Sequence, residues 1–343
     1  MDIEGWNGSS PSSDELAAEY DVVVAGGGMA GLSGALVLGR SRRRVAVIDA
    51  GSPRNAPAAG VHNFLTRDGE DPQTLLAQGR AEVRGYGAQV TSGEITAIAR
   101  ADAGRDDPGF TVTLADGRAT RARRLLVTTG LTDELPDLPG LRERWGRDVV
   151  HCPYCHGWEF RDQAIGVLAT GPMSVHQALL FRQLSPAVTF FPHTAPPLAA
   201  EQAEQLAARG ITVVPGPVAA LEASHDQLTG VRLADGQVVP VRALAVSPRM
   251  VARGGILATL GLKPAEHPSG MGEHIAAADA TGRTEVPGVW VAGNVADIAA
   301  TVPAAVAAGT MAGAHINADL IAEETERAVA ARRGRQPGAG VPR

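Results

Sequence analysis

At 343 residues the chain is long enough for about two domains and a sizeable buried core. A net charge of -6 and an aromatic content of 4% exclude the basic footprint and the stacking platform of nucleic-acid binding, and no apolar run approaches the ~18 residues of a membrane span. Two cysteines in such a length exclude a disulfide scaffold and point to the reducing cytoplasm.

Residues 1–19 are polar, with neither a basic start nor an apolar stretch. They read as a disordered arm and not as a secretory leader. Asp21 to Ala25 is an apolar run of the length of a buried parallel strand. Gly26-Gly27-Gly28-Met29-Ala30-Gly31 follows at once, then a helix over 32–38 and a second strand over 44–48 that ends at Asp49. Strand, G-x-G-x-x-G turn, helix, strand and acid form the dinucleotide fingerprint. Gly26 permits the tight turn, Gly28 lets the backbone approach a pyrophosphate, Gly31 lets the helix pack on the strand, and Asp49 accepts from a ribose. The motif alone does not separate FAD from NAD.

The stretch 51–69 reads as a long functional loop. A helix is expected over 73–86, and strands over 89–100, 110–114 and 119–127 with a Gly/Asp-rich turn at 102–109. Asp133 to Gly140, with two prolines, reads as a linker.

His151-Cys152-Pro153-Tyr154-Cys155-His156-Gly157 holds both cysteines of the chain. A C-x-x-C pair is a redox-active dithiol or half of a metal site. A structural zinc needs four ligands; there is no second pair, and two histidines crowded into the same short loop do not surround a tetrahedral ion. No metal is therefore expected, which leaves a redox pair against two inert buried thiols. A thiol with its pKa near 8.5 needs a base at neutral pH, and histidine titrates in the right window. His156 is the first candidate and His151 the second; the alternative for either is a ring satisfied structurally.

Residues 164–191 repeat the strand–turn–helix–strand order without its phosphate chemistry. Ala169 adds a Cβ at the tight turn and Pro172 removes an N–H. Neither an acid nor an Arg cluster follows the strand over 187–191. This half is a structural lid or a weakened nicotinamide site. Short strands and turns fill 210–247. A strand at 289–292 runs into Gly293-Asn294, and a helix is expected from Pro303 to Glu323, followed by a basic flexible tail over 325–343.

The order of glycine motif, C-x-x-C segment, and strand with Ala-Gly-Asn before a helix resembles thioredoxin reductase over residues 20–322. The resemblance implies an α/β fold of two Rossmann-like domains. An FAD domain (20–132 and 249–324) would be interrupted by a smaller insert (133–248), like a nicotinamide domain, that carries the C-x-x-C. It assigns FAD to Gly26, Gly28, Met29, Ala30 and Gly31, to Asp49, Ala50 and Arg54, and to Asn63, Ile95, Thr129 and Gly130. At the other end it adds Gly293, Asn294, Thr301 and Val302. It also implies a homodimer. Cys-Pro-Tyr-Cys-His-Gly is similar to the dithiol oxidase branch, the enzymes that close the disulfides of gliotoxin, holomycin and romidepsin. That likeness implies a small-molecule dithiol substrate and dioxygen as acceptor, with Cys152 outermost and Cys155 facing the flavin. The rival readings are an NAD(P)H-dependent disulfide reductase and a flavin redox sensor without turnover.

Overall fold

A computed structural model describes residues 15–101 and 109–334. Strand β1 (Glu19–Ala25) forms where the sequence places its apolar run, and Val22 to Ala25 are fully buried. Helix α1 (Met29–Arg40) and strand β2 (Val45–Asp49) follow. Helix α2 (Pro72–Gly85) starts on Asp71, whose carboxylate accepts the Thr74 N–H at 2.7 Å, with proline at the first helical position, where a missing N–H is harmless.

The single strand expected over 89–100 is two. β3 (Gln89–Ser92) runs parallel to β2, and after Gly93 the chain turns into β4 (Ile95–Arg100), antiparallel to β5 (Phe110–Leu114). Gly93 donates to the Asp49 carbonyl, which ends the pairing with β2. The expected turn at 102–109 lies, but for Gly109, outside the described residues. β6 (Ala119–Val127) completes the order β3-β2-β1-β6-β5-β4. Chain order reverses between β1 and β6, so the crevice beyond their carboxyl ends is where an open α/β sheet binds its ligand.

β7 (Leu131–Glu134) leads out of this sheet to the short helix α3 (Leu141–Arg144) and to β8 (Val149–Val150). One helical turn, α4 (Pro153–His156), carries the C-x-x-C. Then come β9 (Ile165–Leu168), α5 (Ser174–Phe181), β10 (Val188–Phe191), α6 (Ala200–Ala208) and β11 (Thr212–Val213). An antiparallel layer of β12 (Val218–Ser224), β13 (Gln227–Leu233) and β14 (Val238–Pro240) precedes β15 (Ala243–Val246). The five-stranded sheet is all parallel, ordered β11-β10-β9-β15-β8. Its strand order also reverses at β9, and His151 and Ser247 stand just past the carboxyl ends of β8 and β15.

The chain returns through β16 (Arg249–Ala252), antiparallel to β7, with β17 (Ala265–Glu266) and β18 (Gly272–His274) alongside. β19 (Val289–Val291) then pairs parallel with the end of β6.

Helix α7 (Val302–Gly334) continues past Glu323 to the last described residue, so the flexible tail expected from 325 is helical as far as 334. The cause is electrostatic. Glu323 pairs with Arg327 one turn on, and Asp319 and Glu323 receive Arg124, a partly buried cation of β6. Arg332 and Arg333 in the last turn suit the negative end of the helix dipole. Near its start α7 crosses α1 backbone to backbone. A Cβ on Gly309 would lie 1.9 Å from the Ala30 carbonyl oxygen, and one on Gly313 2.7 Å from that of Gly34. The described part of the expected arm is also ordered: Leu16 and Ala17 pack on the core, and Ala17 donates to the Tyr20 hydroxyl.

Among the described residues no helix is long and apolar enough to cross a membrane, and no group of three or more His, Cys, Asp or Glu side chains is placed to hold a metal ion.

Candidate active site

The carboxyl ends of the two sheets face a cavity of about 1160 Å³. Every residue assigned from the sequence to FAD or to the redox pair and its bases lines it except Gly31 and Asn63. The glycine turn and Asp49 stand on one side, the C-x-x-C turn and both histidines on another, and Gly293, Asn294, Thr301 and Val302 near the start of α7 on a third.

The glycines divide by role. Gly26 has φ +106 and lies against the Thr128 carbonyl, Gly27 lies against Asp49, and a Cβ on Gly31 would sit 2.0 Å from the Gly26 carbonyl oxygen. A Cβ on Gly28, by contrast, would meet nothing within 4 Å. Packing therefore does not demand glycine at 28; the open side is room for a ligand at the backbone. The start of α1 has no side-chain cap and no acid in its first turn, so its first N–H groups remain available to a pyrophosphate. These residues fit FAD. Gly31→Ala is expected to overpack the turn, at about 1–3 kcal/mol, and to lower the melting temperature of the apoprotein. Gly28→Ala should leave that temperature unchanged and weaken only flavin retention, read from absorbance.

Three assigned contacts take a different form. Arg54 lines the cavity, but its guanidinium holds the Asp133 carboxylate through two hydrogen bonds of 2.8 and 2.7 Å, tying the 51–69 loop to β7. Asn294 Nδ2 donates to the Asp297 and Ala300 carbonyls and shapes the turn before α7. Asn63 adopts φ 59, its N–H donates to Asp68 Oδ1 at 2.7 Å, and its amide is thereby turned from the cavity to the Tyr154 carbonyl. Asp49 keeps its place at the end of β2, with one oxygen 3.0 Å from Arg80.

Cys152 and Cys155 form a disulfide, with Cα atoms 5.2 Å apart. Cys152 caps α4, and its Sγ accepts the Cys155 N–H at 3.2 Å. The two histidines differ. His151 Nδ1 lies 3.3 Å from the Val246 carbonyl, which can only accept, so Nδ1 carries the proton. Burial, and then the charge of Arg54, push its pKa below the usual histidine value. Neither ring nitrogen of His156 finds a hydrogen-bond partner among the described residues. Its pKa is also lowered, first by burial; Glu159 opposes this and His62 adds to it. Both rings are therefore neutral at pH 7, but His156 alone has both nitrogens uncommitted, as a base that must exchange protons requires.

The second turn, at the end of β9, is closed from within. Ser174 Oγ accepts the N–H groups of Thr170 and Gly171, at 3.1 and 3.2 Å, and donates to the Gly171 carbonyl. Two of the turn's N–H groups, which an open dinucleotide turn would leave for phosphate, are thereby engaged within the chain. After β10, His193 Nδ1 accepts the Val218 N–H instead of facing a ligand. Met173, His176, Gln177 and Leu180 also line the cavity. The sequence reading did not single them out, although their spacing of three, four and seven places them on one helix face.

The sequence matches the pyridine nucleotide-disulphide oxidoreductase family over residues 20–309. A thioredoxin reductase designated sirT, from Leptosphaeria maculans, is 31% identical over 315 residues, covering 87% of this chain and 93% of its own. Thioredoxin reductase tcpT from Claviceps purpurea is also 31% identical, covering 88% and 95%. The crystal structure of HlmI superposes with a TM-score of 0.86 at 46% identity, over 92% of this chain and 97% of that one. With the glycine cradle, the disulfide and the matched span in agreement, the chain belongs to the pyridine nucleotide-disulphide oxidoreductases and is an FAD-dependent, thioredoxin reductase-like thiol/disulfide oxidoreductase.

Proposed function

We propose that the protein is a dithiol oxidase: it closes a disulfide within a small-molecule dithiol of the natural-product type and passes the electrons to dioxygen. The observation that carries this reading is the Ser174 hydroxyl seated on the Thr170 and Gly171 N–H groups. A reductase takes its electrons from a pyridine nucleotide, and two backbone donors of the turn that would face its phosphates are here engaged by the protein's own side chain. A dithiol substrate supplies the electrons instead.

One substrate thiolate attacks Cys152 Sγ, forming a mixed disulfide and releasing Cys155 as thiolate. The second substrate thiol, deprotonated by His156, attacks the substrate sulfur of the mixed disulfide. The product S–S bond forms and Cys152 leaves as thiolate. The Cys155 N–H directed at Cys152 Sγ stabilises that leaving group. The substrate has lost two electrons and two protons, and the enzyme holds its cysteines reduced. FAD, when bound, supplies two-electron acceptance and onward transfer to dioxygen, which becomes hydrogen peroxide. The same reading keeps the protein in the cytoplasm, as a homodimer.

The test is oxygen consumption with a panel of small dithiols, with and without NADPH. Hydrogen peroxide equal to the disulfide formed, and no response to NADPH, is the expected outcome. Rapid anaerobic bleaching of the flavin by NADPH would establish the reductase instead, and a flavin that no dithiol reduces would leave only the sensor.

A further inference from the structure

Each cysteine is preceded by a peptide carbonyl that a side-chain amide holds. Gln177 Nε2 donates to the His151 carbonyl at 2.7 Å, directly before Cys152. Asn63 Nδ2 donates to the Tyr154 carbonyl, directly before Cys155. The amides come from separate parts of the chain, Gln177 from α5 in the segment of the five-stranded sheet and Asn63 from the 51–69 loop that follows β2 of the seven-stranded one.

Both residues are themselves tied down, Gln177 through its amide and Asn63 through its backbone. Gln177 is only 5% exposed, and its Oε1 accepts from Ser247 Oγ at 3.3 Å, which leaves Nε2 for the carbonyl. Asn63 is set by its left-handed backbone, a conformation that Asn tolerates, and by the Asp68 carboxylate on its N–H. The neighbouring His62 lies 3.4 Å from Glu159 Oε1, a second tie from the same loop to the segment that follows the dithiol.

We propose that Asn63 and Gln177 are paired positioning residues for the redox couple. They fix the peptide planes that lead into Cys152 and Cys155, so that both sulfurs keep their places when the S–S bond opens. While the disulfide is closed, the covalent bond holds the turn. Once it opens, α4 is a single helical turn of four residues, too short to persist on its own. Two hydrogen bonds, one from α5 and one from the 51–69 loop, then hold Cys152 toward the substrate and Cys155 toward the flavin. This rests on the dithiol reading only for the direction of electron flow; the geometry serves any chemistry that opens and recloses the pair.

The test compares Asn63→Ala and Gln177→Ala with Asn63→Asp and Gln177→Glu, which keep the shape and lose the donor. Dithiothreitol is mixed anaerobically with the flavin-loaded protein. The limiting rate of flavin bleaching should fall about 10- to 100-fold, the scale of an ångström's misplacement of a reacting group. The dithiothreitol concentration for half-maximal rate, the flavin content and the reoxidation rate in air should not change. In parallel, amide hydrogen exchange in peptides spanning 151–157 should accelerate in the dithiothreitol-reduced variants, with peptides of β1 and α1 unaffected. Wild-type bleaching and wild-type exchange in all four variants would overturn the proposal, and so would slowed bleaching with exchange at 151–157 unchanged. If the Ala variants lose flavin, the two isosteric variants decide. If dithiothreitol fails to reduce even the wild-type flavin, the oxidase reading is what fails, and the exchange measurement still decides the role of the two amides.

Discussion

Replacing either cysteine with serine is expected to leave a yellow, folded protein that does not turn over. Both sulfurs line the cavity, and neither supports a buried core cluster, so Cys152→Ser and Cys155→Ser should keep their flavin and their melting temperature. Turnover with a small dithiol should fall by at least about 10⁴-fold, the scale on which removal of an enzyme nucleophile is felt. The scheme needs two sulfurs, one to carry the mixed disulfide and one to be released from it, and a hydroxyl does neither. Oxygen consumption and peroxide release measure the loss. A single mutant that still oxidises dithiols at the wild-type rate would mean that substrate delivers electrons without the cysteine pair.

The second large effect is expected at His156. Its removal should slow oxidation of a dithiol by about 10²- to 10⁴-fold, the usual worth of a positioned general base. The pH dependence carries the stronger signature. Burial, followed by the opposed influences of Glu159 and His62, holds the His156 pKa below the ordinary histidine value of about 6.5. The base works unprotonated, so wild-type kcat/KM should rise with pH through a limb placed below that value. His156→Ala should abolish the limb. Glu159→Gln removes the influence that raises the pKa and should move the limb to lower pH. A profile of unchanged shape in His156→Ala would assign the proton transfer elsewhere. His151, with Nδ1 committed to the Val246 carbonyl, would be the next residue to test.

Much of this was legible in the chain itself. Apolar runs bounded by glycine turns gave β1, β2, β6 and β19, and G-x-G-x-x-G gave the cradle at the switch point. The absence of any other cysteine pointed to the pair at 152 and 155. Two of the three elements that differ from expectation do so for local reasons. A break at Gly93 divides an apparently continuous strand, and charge pairs carry α7 beyond the end of its apolar pattern. The finer parts of the site had no sequence signal of their own. Asn63 meets Tyr154 across 91 positions and Gln177 meets His151 across 26, and side-chain-to-backbone contacts at such separations leave no period. That the Ser174 hydroxyl engages the turn depends on a rotamer, which a motif does not encode.

The glycine crossing of α1 and α7 has a bearing on how the cofactor is measured. The start of α1 would hold the phosphates of FAD, and Thr301 and Val302 at the start of α7 line the same cavity. Because the two helices touch main chain to main chain at Gly309 and Gly313, the span between those starts is set by a rigid gauge with no side chains to flex. A single added methyl at 309 would wedge the two jaws of that caliper apart, altering the length it accepts without replacing any residue that lines the cavity.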